Sequence, residues 1–137
     1  LFVYERPVRF DDVDAAQLVF FPRILAYTHE ALGKLMDELP GGYSELVMKR
    51  RVGLPTVHLE VDFTAPLRFG DVARIELGVT RIGRSSCTLQ TNISRNRDGT
   101  KVAAVRSVYV ATDLSALRAI GIPDDMRRLL DGHTIRT

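Results

Sequence analysis

Three carboxylates crowd one short polar stretch, Asp11, Asp12 and Asp14, and the chain then reaches Val19, Phe20, Phe21 and Pro22, where a helical pattern begins. A carboxylate held in a fixed place can serve as nucleophile or general base. By residue type alone, an aspartate a few residues ahead of a helix is more often a solvated turn or capping residue. The other reactive side chains are scattered. His29 falls on the flank of the expected helix, where a histidine hydrogen-bonded to a neighbour competes with one that contacts a ligand. His58 alternates with apolar strand residues and shares a face with Glu60 and Asp62, the pattern of a polar sheet surface or subunit contact. Cys87 lies on a strand beside Ser86, and nothing nearby would depress its pKa into nucleophile range. No Ser/His/Asp or Cys/His constellation is recognisable, which counts against amide hydrolysis. No CxxC pair or Cys/His cluster has zinc-ligand spacing, so no metal is expected.

These residues are carried by a chain of 137 residues, 45% hydrophobic and 26% charged, ordinary values for one globular domain spanning 1–137. No apolar run approaches the ~20 residues of a membrane-spanning helix. A lone cysteine suits a reducing compartment and no signal-peptide pattern opens the sequence, so the expected location is cytoplasmic, with no membrane partner. The net charge of +2 is too small to argue for nucleic acid, and the basic residues are dispersed without aromatic interleaving. Sixteen of the nineteen basic residues are arginine, a slight lift for phosphate binding that a codon bias would equally produce.

The elements that must position the carboxylates follow from periodicity. Residues 2–10 read as a strand, with Val8 and Phe10 alternating against Arg9. At 100° per residue over 23–39, Ile24, Leu25, Ala31, Leu32, Leu35, Met36 and Leu39 gather on one side and Arg23, Glu30, Lys34 and Asp37 on the other, with Pro22 suited to a first helical position. Pro40, Gly41 and Gly42 stop that helix. From Gly53 to Thr112 the pattern is antiparallel sheet, opening with Val57, Leu59, Val61 and Phe63 alternating with polar residues. The strand 72–81 follows the Phe69-Gly70-Asp71 turn, Ile82-Gly83-Arg84 connects it to 86–95, Asp98-Gly99 signals a two-residue hairpin turn, and 101–112 returns. A short helix over 123–130 closes the chain. One strand, one long helix and four consecutive antiparallel strands make an α+β fold. A single helix leaves much of such a sheet's second face or edge uncovered, and a symmetry mate is the usual cover.

The order of elements, together with the stretch from Phe10 to Pro22, resembles the 4-hydroxybenzoyl-CoA thioesterase family. There Asp-x-Asp, a short turn containing glycine, two apolar residues and an aromatic pair precede the central helix. The resemblance continues through Val52-Gly53-Leu54-Pro55, Arg84-Ser85-Ser86, Asn92-Ile93-Ser94-Arg95 and Leu117-Arg118-Ala119-Ile120, so it covers nearly the whole chain. It implies the hotdog fold, a five-stranded antiparallel sheet wrapped around one long central helix, assembled as a homodimer or homotetramer. Gln17 stands where the family usually has glycine, and a residue with a Cβ must then bear any positive φ the turn requires.

The resemblance also implies roles. Asp14 matches the carboxylate that acts as nucleophile or general base, and Phe21 the aromatic position whose backbone N–H polarises the thioester carbonyl. Phe20 is pocket wall. His29 stands where aromatic-acyl members carry a carboxylate facing the substrate's ring hydroxyl, and so is expected to contact the acyl group. Arg84, Ser85 and Ser86 match the segment that meets coenzyme A at a subunit interface, against the plainer reading as a solvated turn. A lone carboxylate suffices for a thioester, because the carbonyl has little resonance protection and the thiol leaves as thiolate. The expected activity is hydrolysis of an aromatic or medium-sized acyl-CoA without cofactor, coenzyme A being part of the substrate. A hydrolase of acyl carrier protein thioesters and a non-catalytic acyl-CoA-binding module are the alternatives. Asp14→Asn is expected to lose at least ~100-fold in turnover, and Asp11→Asn and Asp12→Asn far less.

Overall fold

The apolar stripe becomes α1 (Phe21–Met36) in the computed structural model, which describes residues 1–136 and so leaves only Thr137 outside. Ile24, Ala31, Leu32, Leu35 and Met36 are buried as their spacing requires, and the helix also buries Tyr27 and Thr28, which the apolar count omits. The strand before it, β1, spans Phe2–Pro7 rather than 2–10. A single 3-10 turn over Phe10–Asp12 follows, closed by the Asp12 N–H donating to the Arg9 carbonyl at 3.0 Å. After the Pro40 stop a short helix unforeseen in the sequence, α2 (Gly42–Met48), precedes β2 (Val52–Gly53). Then come β3 (Thr56–Phe63), β4 (Val72–Ile82), β5 (Ser86–Arg95) and β6 (Lys101–Val110).

The expected last strand breaks at Ala111. Its N–H donates to the Ser85 carbonyl at 2.7 Å and its carbonyl accepts from Ile120 at 2.9 Å, which turns the chain out of the main ladder. Thr112–Asp113 then forms β7 and Arg118–Ala119 forms β8, making a small sheet in the order β2-β7-β8. At Gly53 a Cβ would come within 2.6 Å of the Leu114 side chain, which would have to move aside for a larger residue. The helix α3 (Asp124–Asp131) closes the fold. The β5–β6 connection runs over residues 96–100, longer than the two-residue turn expected. The Arg95 N–H donates to the Thr100 carbonyl at 2.8 Å and Gly99 alone in the turn takes a positive φ, +72°, a common loop geometry when a type I turn leads into a left-handed residue.

The main sheet is antiparallel throughout, in the order β1-β4-β5-β6-β3. Directly opposed residues share a face, so the row Phe2, Leu77, Thr91, Val105, Val61 points toward α1. Ile75, Leu77, Val79, Leu89, Ile93 and Val105 on that face are buried. The helix packs mainly over β1 and β4, and its first residue, Phe21, reaches the edge strand β3 at Phe63. On the core side of β3, Val57 and Leu59 are left 59% and 41% exposed, and Phe63, beside Phe21, 49% exposed, so that side of the strand is not buried within one chain.

Candidate active site

The chain between β1 and α1 folds into a tight turn centred on Asp14. Its N–H donates to the Leu18 carbonyl at 2.8 Å, its carbonyl accepts from Gln17 at 2.9 Å, and Oδ1 accepts from the Ala16 and Leu18 amides at 2.8 and 3.4 Å. This closes only if residue 17 enters the left-handed region, and Gln17 does so with φ of 65°. The strain anticipated for a non-glycine residue is present. The Val19 N–H donates to the Leu67 carbonyl at 2.8 Å, and bridges pair Val13 with Val19 and Leu18 with Arg68, tying the turn to the segment after β3.

Between the turn, the helix start and that segment lies a cleft of about 380 Å³. Asp14 is at its rim, and Leu18, Val19, Phe20, Phe21, Ile24, Phe63 and Leu67 supply an apolar wall. Phe21 stacks edge-on against Phe20 at 5.3 Å and Phe63 at 6.2 Å between ring centroids. The first turn of a helix leaves its amides without intrahelical partners. Here Pro22 has no N–H and Arg23 donates back to the Phe20 carbonyl at 2.8 Å. Among the described residues no group accepts from the Phe21 N–H, which leaves it as a donor at the positive end of a sixteen-residue helix.

Beneath this loop lies a buried polar cluster that the sequence does not announce. Asp12 is 1% exposed. Its Oδ2 accepts from the Arg9 backbone N–H at 2.8 Å, Arg6 Nη1 at 2.9 Å and the Tyr27 hydroxyl at 2.8 Å. Arg6 also donates through Nε to Glu30 at 2.9 Å, and its guanidinium lies 4.8 Å over the Tyr27 ring. Burial alone would push the Asp12 carboxyl up, but the bonds from Arg9, Tyr27 and Arg6 outweigh it and hold Asp12 below the ordinary carboxylate range. Burial and the bond to Asp12 push the Tyr27 hydroxyl up, so it stays protonated and donating.

Phe20 and Phe21 stand with Asp14, as the motif requires. His29 does not join them: it is exposed on the outer side of α1, beside a separate open cavity lined by Tyr4, Glu30, Lys34, Asp37 and Tyr43. Arg84, Ser85 and Ser86 form the β4–β5 turn, closed by the Gly83 N–H donating to the Ser86 carbonyl at 2.7 Å and braced by Arg127 on the Gly83 and Arg84 carbonyls. That turn is at the far end of β4 from Asp14, whose loop is anchored near Asp71 at the strand's start by the Val8 N–H. An 11-residue strand separates them by roughly 35 Å at ~3.3 Å per residue. His58 makes an exposed contact with Glu60 at 2.9 Å. Cys87 is buried and its thiol is pushed up to about 11 by burial, far from nucleophilic. Among the described residues no cluster of His, Cys, Asp or Glu could hold a metal ion, and no helix is long and apolar enough to cross a membrane.

A helix wrapped by a five-stranded antiparallel sheet, with an aspartate turn leading into the helix start, defines a hotdog-fold thioesterase. The family profile of the thioesterase-like superfamily matches residues 8–130, and the chain belongs to that family. It is similar to the 1,4-dihydroxy-2-naphthoyl-CoA hydrolase of Synechococcus sp. (strain CC9605), 30% identical over 95% of this chain and 89% of the relative. A gentisyl-coenzyme A thioesterase of known structure is 30% identical, with a TM-score of 0.82 over 91% of this chain and 98% of the other. The fold is also shared with a thioesterase superfamily structure from Jannaschia sp. CCS1, 26% identical with a TM-score of 0.87 over 98% of this chain and 93% of the other. The chain is a thioester hydrolase.

Proposed function

We propose that this protein hydrolyses an aromatic acyl-CoA to the free acid and coenzyme A, with Asp14 as nucleophile or general base and the Phe21 N–H as donor to the carbonyl oxygen. The observation that carries the reading is the meeting of Asp14 and the unbonded Phe21 amide at a cleft walled by Phe20, Phe21 and Phe63. As the tetrahedral centre forms, the oxygen gains charge beside that N–H and the helix dipole, while the thiolate departs without an acid. The aromatic wall and the aryl-CoA substrates named for the two 30%-identical relatives favour an aryl over an aliphatic acyl group.

Completion of the site by a second copy belongs to the same proposal. Pairing two β3 edges about a two-fold axis would cover Val57, Leu59 and Phe63 and run the strands antiparallel. The Phe63 end of one copy would then lie by the Thr56 end of the other, and through the register Thr56, Tyr109, Cys87, Ile82 that is the end carrying Arg84. Arg84, Ser85 and Ser86 of one subunit would so meet coenzyme A bound at Asp14 of the next, in a homodimer or in a homotetramer built from it. The buried, unreactive Cys87 suits the reducing cytoplasm where acyl-CoA substrates are made.

The experiment is thiol release from a panel of aryl- and alkyl-CoA esters and acyl carrier protein thioesters. Aryl-CoA turnover that falls at least ~100-fold in Asp14→Asn is the expected result. Thermal stabilisation by acyl-CoA without thiol release would replace hydrolysis with binding, and a preference for carrier protein thioesters would move the substrate class.

A further inference from the structure

The buried cluster under the active-site turn has a geometry that bears on catalysis. Asp12 is linked to three elements at once. Its carboxylate takes bonds from β1 through Arg6, from the following loop through the Arg9 amide, and from the second turn of α1 through Tyr27. Its backbone carbonyl accepts from the Phe20 N–H at 2.9 Å, one residue before the free amide of Phe21. Asp14 follows Asp12 by two residues. One buried residue thus spans the carboxylate at one side of the cleft and the donor at the other.

We propose that Asp12 and Tyr27 are positioning residues that fix the separation of the Asp14 carboxylate from the Phe21 N–H, with Arg6 and Glu30 holding Asp12 in place. The inference rests on the proposed roles of Asp14 and Phe21. A turn strained at Gln17 and exposed at Asp14 is not rigid by itself, whereas a carboxylate accepting three short bonds, two of them from formally neutral donors, cannot shift without leaving a buried polar group unpaired. Catalytic geometry is sensitive on this scale, a displacement near 1 Å costing on the order of 100-fold in rate. A cluster with a purely structural role would lower stability on removal and leave turnover per folded molecule unchanged.

Tyr27→Phe removes one hydroxyl and keeps the ring packed against Arg6. In the folded variant kcat for an aryl-CoA should fall roughly 10- to 100-fold while KM changes less than about threefold, because ground-state contacts to coenzyme A are untouched. In the Asp14→Asn background the same change should cost less than about twofold, since the carboxylate it positions is gone. If Tyr27→Phe does not fold, Glu30→Gln, which loosens Arg6 from a half-exposed partner, is put through the same pair of comparisons. A folded variant with kcat within twofold of the parent, or an equal loss with and without Asp14, overturns the proposal. Full activity in Asp14→Asn alone would instead overturn the role of Asp14, so the two failures read differently.

Discussion

The positive φ at Gln17 allows a direct measurement of what the active-site turn stores. A residue with a Cβ in the left-handed region costs roughly 1–2 kcal/mol relative to its right-handed conformation. Glycine removes that cost but loses more chain entropy on folding, about 0.5–1 kcal/mol. The difference predicts that Gln17→Gly stabilises the protein by about 0.5–1 kcal/mol. For a chain of this size that is an increase in Tm of roughly 2–4 °C. Gln17→Asn should fall between, since asparagine tolerates this region, and Gln17→Ala should be close to the parent. Ala16→Gly is the control: it sits in the same turn without a positive φ, so only the entropy loss remains and Tm should fall. Differential scanning calorimetry at fixed protein concentration separates these cases, the concentration being held because subunit association also raises Tm. Equal decreases for Gln17→Gly and Ala16→Gly would refute the strain argument.

Leu59→Arg, placed on the exposed β3 edge, should leave each subunit folded and reduce the mass measured by light scattering to 15.3 kDa; an unchanged larger mass would put the interface elsewhere. Because the folded-state pKa of Asp12 is depressed, its contribution to stability is complete above the ordinary value of 3.8 and is lost as pH falls through the lower folded value. Thermal melts taken between pH 3.8 and that lower value should therefore show a shallower decline for Asp12→Asn than for the parent, though not a flat one, since Asp71 and Asp125 are depressed as well.

Local pattern was sufficient where burial follows periodicity. The 100° stripe identified α1 because Leu32, Leu35 and Met36 are buried along it, whereas the alternation from Val57 to Phe63 suggested a buried face that β3, exposed on both sides but for the half-buried Val61, does not have within one chain. The motif around Asp14 carried the candidate site, including the strain at Gln17. What stayed hidden depends on contacts between distant residues. Asp12 looks like one more loop carboxylate until Arg6 and Tyr27, fifteen residues away in the latter case, surround it. Its expected dispensability does not fit a side chain that is 1% exposed and bonded three times. Likewise β2, β7 and β8 have two residues each, too few to show a period, and α2 has a single turn and a half of pattern after a glycine pair. His29 was placed correctly on the flank of its helix, but periodicity cannot tell which cavity a flank borders.

The distance along β4 between the Asp14 turn and the Arg84 turn has a genetic consequence if coenzyme A spans the two. Each working site would then draw its chemistry from one polypeptide and its nucleotide grip from another. Two alleles, one defective at Asp14 and one at Arg84, would each be null alone, yet a heterodimer of the two would assemble one site from both intact halves and one from both broken halves. Selection would thus act on the pool of chains in a cell and not on each chain separately, and a lesion at either end of the strand could be recessive to a lesion at the other.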